Sequence, residues 1–184
     1  MAVKNPPKSK GRRKPYDKRT DIQKIRSQWT KLSGLHDRTD WSAAVVRAAT
    51  ATEIAVNLAI RREFASRSQF DETFVNGLMR WANGLPGKLD RLLIPLLRGR
   101  KKLETIKELR PLAQRIHDKR NEIAHRGEFC SERVSTALID DCQKFVHGVV
   151  RLYKPKFVLP DRNDVAVTAT AKLEKRRSKR GSRE

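Results

Sequence analysis

The chain has 184 residues, a length typical of one domain, and 42 basic against 21 acidic side chains give it a formal charge of +21. Its two cysteines, Cys130 and Cys142, are too few and too far apart for a disulfide framework or a zinc site. The sequence contains neither the apolar run of a signal peptide nor an uncharged apolar stretch of 18 residues. We therefore expect a cytoplasmic protein that does not cross a membrane.

Positive charge is concentrated at both ends of the chain. Residues 1–19 contain 8 basic residues and 1 acidic residue, and residues 161–184 contain 8 basic and 4 acidic residues. Neither segment has apolar periodicity, whereas the middle of the chain is rich in apolar side chains. We expect residues 1–19 and 161–184 to be disordered basic arms, and residues 20–160 to fold as one helical domain.

Apolar residues in the middle segment recur with the spacing of helices, and no run alternates as a strand would. The first predicted helix runs from Asp21 to Leu32 and is ended by Gly34. Asp40 is a suitable cap for a second helix, from Trp41 to Ser66, which is apolar around most of its circumference. This pattern places the second helix at the centre of a bundle.

Two shorter helices are predicted next. Asp71 caps a helix that stops at Gly84, and Pro86 opens another that Pro95 shortens or kinks. All three tryptophans of the chain fall in apolar helical patterns, so core packing is favoured over base stacking for each of them. These residues are Trp29, Trp41 and Trp81.

The last part of the domain is also helical. A helix from Lys101 to His125 contains Pro111, so it is either kinked or divided in two. Ser131 starts a final helix that runs through Leu152. Because the connections are short, the pattern predicts an all-α, up-and-down helical bundle.

Arg120 is the most informative residue of the chain because it lies inside an apolar stripe. A buried guanidinium needs a carboxylate, a phosphate or a partner subunit, and either Glu53 or Glu122 could supply the carboxylate. The stripe around Arg120 recurs at spacings of three and four residues and comprises Leu109, Leu112, Ala113, Ile116, Ile123 and Gly127.

Five residues after Arg120 comes His125, a side chain whose ordinary pKa suits proton transfer near neutral pH. Read without a functional role, His125, Arg126 and Gly127 are typical of a helix C-terminus. His117, Asn121 and His125 share one helix face, but no carboxylate or thiolate completes a metal site there, so a solvated polar face is the simpler interpretation.

The segment from Arg120 to Gly127 resembles the motif of the HEPN superfamily (higher-eukaryote and prokaryote nucleotide-binding domains), in which four to six residues separate an arginine from a histidine. Residues 51–60, alanine-rich with an internal Glu53, resemble the core helix that precedes this motif in many members. The resemblance implies an HEPN-like bundle that forms a homodimer and needs no metal or other cofactor.

The resemblance also implies a metal-independent endoribonuclease of the toxin–antitoxin or phage-defence kind. His125 would act as general base or acid, and Arg120 would stabilise charge on the scissile phosphate. Asn121 would orient the histidine or the phosphate by hydrogen bonding. Possible supporting residues are Glu53, Glu122 and His117, and possible RNA contacts are Lys119 and Arg126.

Two other functions stay open. Many HEPN domains bind a nucleotide, RNA or a partner protein such as an antitoxin or a nucleotidyltransferase without catalysis. The motif could also be a simple helix end in a basic nucleic-acid-associated protein.

Helix geometry sets a condition on the catalytic interpretation. On a straight helix, residues five apart point about 140° away from each other and are separated by about 7.5 Å along the axis. Arg120 and His125 can reach one phosphate only if the helix loosens before Gly127, if the arginine bends around it, or if a second protomer completes the site. The family resemblance implies the last of these.

Overall fold

A computed structural model describes residues 14–161 of the chain. Within these residues the secondary structure is helical and contains no strand, so the predicted all-α class is confirmed. In chain order the elements are α1 (Asp21–His36), α2 (Trp41–Ala65), α3 (Glu72–Trp81), α4 (Gly84–Gly87), a π-helical segment (Lys88–Leu93), α5 (Ile94–Leu96), α6 (Lys102–Arg126) and α7 (Glu132–Arg151).

The two basic arms fall largely outside the described residues, which leaves their predicted disorder a prediction. Residues 14–19, at the end of the first arm, form a turn against α1. Within it the Tyr16 hydroxyl accepts a 2.7 Å hydrogen bond from Gln28 Nε2, and Arg19 Nη1 donates to Ser27 Oγ at 3.1 Å.

Helix α2 forms the centre of the bundle and packs against α1, α6 and α7. Asp40 accepts a hydrogen bond from the amide of Ala43 and begins the helix as predicted. Helix α2 is long and apolar enough to cross a membrane by length and composition, but 67% of its most apolar 18-residue window is buried inside the bundle. Burial of this kind is what the central helix of a bundle shows.

Helix α1 does not end where the sequence predicted. It begins at a capping box between Thr20 and Gln23 and continues through Gly34 to His36. The prediction that Gly34 ends the helix is wrong because a mid-helix glycine costs only about 1 kcal/mol relative to alanine. Leu35, which packs against the core one residue later, outweighs this local preference.

The segment after α3 turns sharply. Asn83 and Gly84 both have positive φ, at 49° and 71°, and interrupt the helical backbone between α3 and α4. A Cβ on Gly87 would lie 1.6 Å from the carbonyl oxygen of Ala82, so only glycine permits this close approach. The π-helical segment lies just before Pro95, whose ring disfavours a regular α-helical turn preceding it.

Helix α6 is a single helix although Pro111 lies within it, so the division in two is excluded. Ser131 accepts a hydrogen bond from the amide of Val134 and begins α7 as predicted. The two helices approach closely at Gly148, where a Cβ would lie 2.4 Å from a methyl carbon of Leu109.

The prediction that all three tryptophans lie in the core is right for Trp29, which is 1% exposed. Trp41 is partly buried against the core. The prediction is wrong for Trp81, which is 66% exposed. Helix α3 directs Val75 and Met79 inward, and Trp81 lies on a different side of this short helix.

Candidate functional site

The predicted motif lies at the C-terminal end of α6. Gly127 adopts the left-handed conformation at φ 67°, and its amide and that of Glu128 point to the carbonyl oxygen of Glu122. This is the helix C-terminus that the sequence pattern indicated. His125 and Arg126 occupy the last turn and are exposed.

Arg120 is half-buried and has no carboxylate partner among the described residues. Its Nη1 donates a 2.9 Å hydrogen bond to Oδ1 of Asn121. The carboxylates considered for it are engaged elsewhere: Glu53 accepts from Lys88 Nζ at 2.5 Å and Glu122 from Lys119 Nζ at 2.8 Å. The guanidinium therefore keeps an unneutralised positive charge at the surface of the bundle.

The Arg120–Asn121 bond determines how Asn121 contacts the next side chain. Because Oδ1 of Asn121 accepts from Arg120, its Nδ2 is the donor towards Nε2 of His117, at 2.9 Å. A ring nitrogen that accepts a hydrogen bond carries no proton, so His117 is neutral and holds its proton on Nδ1. Burial lowers the pKa of His117, against the opposing effect of Asp118.

Gly84, at the start of α4, lies next to this row of side chains. A Cβ built on Gly84 would lie 3.8 Å from Cε1 of His117, which is ordinary van der Waals contact. The turn that follows α3 thus forms one edge of the site. Glu53 on α2 and Asp118 on α6 act electrostatically on the same imidazole.

His125 lies one further helical turn along the face that carries His117 and Asn121. Within residues 14–161 it makes no hydrogen bond, ion pair or ring contact, so its imidazole is free to meet another molecule. No hydrogen bond joins Arg120 and His125. The helix stays α-helical through Arg126, which excludes the loosened end, whereas the arginine does bend towards Asn121.

The two predicted RNA contacts differ in their surroundings. Lys119 donates to Glu122 at 2.8 Å and to Glu128 at 3.1 Å, and these hydrogen bonds raise its pKa while balancing its charge. Arg126 is 73% exposed and lies 4.0 Å from Glu128. Of the two, Arg126 is the better placed to contact a phosphate.

A second polar cluster, the Glu63 cluster, was missed in the sequence. Glu63 on α2 is 1% exposed and accepts hydrogen bonds from Arg67, Lys102 and Tyr153, each at 2.9 Å, and from Arg100 at 3.3 Å. Burial would raise the pKa of Glu63, but the hydrogen bonds from Lys102 and Tyr153 outweigh it and the pKa lies below its usual value. Burial and the neighbouring carboxylate raise the pKa of Tyr153.

No sequence signal could have assembled the Glu63 cluster. Only Arg67 stands at helical spacing from Glu63, whereas Lys102 and Tyr153 come from 39 and 90 residues away along the chain. The cluster fastens the end of α2 to the start of α6 and the residues after α7.

Comparison of the chain with protein-family models, with curated proteins and with solved structures gives no match. What is established is therefore the class that the fold defines, an all-helical bundle with a strongly basic chain. Membership of the HEPN superfamily stays a prediction from the motif on α6.

Proposed function

We propose that the protein is an HEPN-like, metal-independent endoribonuclease. The observation that carries this proposal is the row Arg120–Asn121–His117, joined by two 2.9 Å hydrogen bonds on α6, with the free His125 on the face of Asn121 and His117. A histidine without a partner can take the proton from an internal hydroxyl, and an arginine without a carboxylate partner can stabilise the charge that develops on the phosphodiester.

In the proposed reaction His125 takes the proton from the ribose 2′-hydroxyl. The 2′-oxygen forms a bond to phosphorus and the bond from phosphorus to the 5′-oxygen breaks, so the products are a 2′,3′-cyclic phosphate and a 5′-hydroxyl. The departing oxygen takes a proton from a second acid, which is His125 of the second copy in a two-fold dimer. The reaction thus needs no net proton and no metal.

Arg120 stabilises the charge that develops on the phosphate, because no carboxylate among the described residues cancels its own charge. Asn121 holds the guanidinium on the polar face of α6. His117 fixes the amide of Asn121 through its neutral Nε2, so its role is to position and not to transfer a proton.

The charge of the chain supports an RNA substrate. A formal charge of +21 attracts a polyanion, and its contacts with phosphates make binding weaken as salt rises. The toxin or phage-defence role, with an antitoxin as partner, is the biological setting that this activity suggests.

A second candidate is a binding module without catalysis, which would engage a nucleotide, RNA or a protein such as a nucleotidyltransferase. One observation favours it: two cavities, of about 470 and 380 Å³, are lined by the turn before α1, by α1 to α3 and by Lys88, and not by residues of α6.

Cleavage of single-stranded RNA in excess EDTA tests the proposal. The wild-type protein should cut RNA, leave 2′,3′-cyclic ends and spare DNA of the same sequence, which lacks the nucleophile. His125→Ala should abolish cleavage, and Arg120→Ala should reduce it by about a hundred-fold or more. Arg133→Ala, an exposed arginine on α7, is the matched control and should leave the rate unchanged.

Cleavage that persists in His125→Ala, or that requires Mg²⁺, would overturn the mechanism. No cleavage by the wild type, with RNA binding retained, would favour the binding module. Sedimentation equilibrium is the companion measurement, because the composite site needs a homodimer and a monomer at tens of micromolar would count against it.

A further inference from the structure

Trp81, at the C-terminal end of α3, is a large aromatic side chain that the core does not use. It is 66% exposed, and the guanidinium carbon of Arg91 lies 5.9 Å from the centre of its ring. Arg80 and Arg91 are exposed, and neither forms an ion pair within the described part of the chain. An exposed ring with an unneutralised arginine over it, and a second exposed arginine at the preceding position of α3, has the chemistry of a base-stacking site next to phosphate contacts.

Helix α3 does not need Trp81 for its own packing. Its inward face is supplied by Val75 and Met79, which are both 4% exposed. Arg91 comes from the π-helical segment, whose geometry brings this guanidinium over the ring from a different element. Two elements therefore build the Trp81–Arg91 pair together at the surface.

The pair lies near the row of side chains on α6. Trp81 and Gly84 are three residues apart, so their backbone positions are separated by at most about 11 Å even if the chain were fully extended. Gly84 in turn lies near the ring of His117, because a Cβ added to Gly84 would be 3.8 Å from Cε1 of that ring. A single strand of RNA bound at the α6 site could thus extend a short distance and reach the indole of Trp81.

We infer that Trp81 and Arg91 form a stacking site for one base of single-stranded nucleic acid, next to the α6 site. The inference rests on the proposed function in one respect, namely that the α6 site holds RNA. The base stacks on the free face of the indole, and Arg80 and Arg91 contact the adjoining phosphates.

A second copy of the chain is the other occupant that an exposed aromatic side chain could have. The local charges argue against it, because a second copy docked through its own Trp81 surface would bring its Arg80 and Arg91 against the same two exposed arginines. A polyanion is attracted to the same surface by the positive charge of these arginines.

The test is a fluorescence titration of the full-length protein with short oligodeoxythymidylate, which cannot be cleaved because it lacks the 2′-hydroxyl. Stacking on Trp81 should quench the tryptophan emission, since Trp29 is buried and Trp41 partly so. Trp81→Ala should remove the quenching and weaken binding about ten-fold or more, whereas Trp81→Phe should keep most of the affinity. The control Phe129→Ala removes a ring that is 92% exposed, with no cation over it in the described residues, and should change affinity by less than about two-fold.

Three outcomes would overturn the inference. They are wild-type affinity in Trp81→Ala, an equal loss of affinity for inorganic polyphosphate, which has no base, and conversion of a dimer to a monomer by Trp81→Ala. Loss of DNA binding in Trp81→Ala together with no cleavage of RNA by the wild type would support the stacking site and refute the ribonuclease. Cleavage of RNA by the wild type, together with unchanged DNA binding in Trp81→Ala, would support the ribonuclease and refute the stacking site.

Discussion

The Glu63 cluster and the α6 site are both polar, but they use their charges differently. In the Glu63 cluster a carboxylate that is 1% exposed is surrounded by Arg67, Arg100, Lys102 and Tyr153, and every partner is engaged. In the α6 site Arg120 has an amide as its partner and His125 has none among residues 14–161.

This difference distinguishes structural from functional polar groups. Buried charge is tolerated when hydrogen bonds and counter-charges replace water, and the Glu63 cluster meets that condition with its own side chains. The α6 site leaves a cation and an imidazole available, which contributes little to folding and leaves them free for a ligand. Stability should therefore depend on the first cluster and activity on the second.

The largest effect on stability is expected from Glu63→Gln. Loss of the carboxylate leaves three cations close together, so we expect the free energy of unfolding to fall by about 3 kcal/mol. This is the low end of the range for a broken buried ion pair, because the three cations keep access to water. Urea denaturation measures the change. Glu104→Gln breaks an exposed pair with Lys107 and should cost about 0.5 kcal/mol or less. Equal losses of stability in Glu63→Gln and Glu104→Gln would mean that the Glu63 cluster stabilises the fold no more than an exposed ion pair does.

A smaller loss is expected from Tyr153→Phe. The variant removes one hydrogen bond to a charged acceptor while the three cations around Glu63 stay in place, so we expect about 1.5 kcal/mol. Thermal denaturation of the single variants and of Tyr153→Phe combined with Glu63→Gln gives the coupling between them. Additive losses would mean that the hydroxyl stabilises the fold independently of Glu63.

Arg120→Met should change the free energy of unfolding by about 0.5 kcal/mol or less, because the guanidinium is half-exposed and its removal leaves no carboxylate unpaired. The same variant should lose RNA cleavage. A large loss of stability in urea would show that Arg120 belongs with the structural group, as its place in the apolar stripe had suggested.

The smallest effect concerns pH. Burial gives folded His117 a lower pKa than its unfolded form, so below about pH 6.5 the unfolded chain binds more protons and stability falls as pH falls, until the folded imidazole is also protonated. Burial lowers the pKa of His147 too, which adds a slope of the same sign. His117→Gln should therefore flatten part of the decline in unfolding midpoint between pH 7.5 and 5.5. An unchanged slope would mean that His117 does not contribute to it.

The sequence was sufficient for the fold because the information for it is local. Caps at Asp40, Asp71 and Ser131 and apolar periodicity defined the main helices, and the structure confirms these starts. Prediction from the sequence failed at Gly34, where packing of Leu35 outweighs a local preference. It also failed at Trp81, because periodicity shows that a helix face is apolar but not whether another element covers that face.

The candidate site was less accessible from sequence. Spacing identified the shared face of His117, Asn121 and His125, and two of these are hydrogen-bonded in the structure. It could not show that Lys88, 35 residues away along the chain, is the partner of Glu53, because that pair depends on how the π-helical segment packs on α2.

The π-helical segment has a consequence for how the length of this chain can vary. A π-turn closes its hydrogen bonds over five residues where an α-turn needs four, so it absorbs one additional residue without rotating the helices on either side. A one-residue deletion between Lys88 and Leu93 should therefore leave Leu85 and Leu97 in the core. If the lost residue were Arg91, the bundle would survive and the cation beside Trp81 would be gone, so a change in length alone could separate folding from recognition.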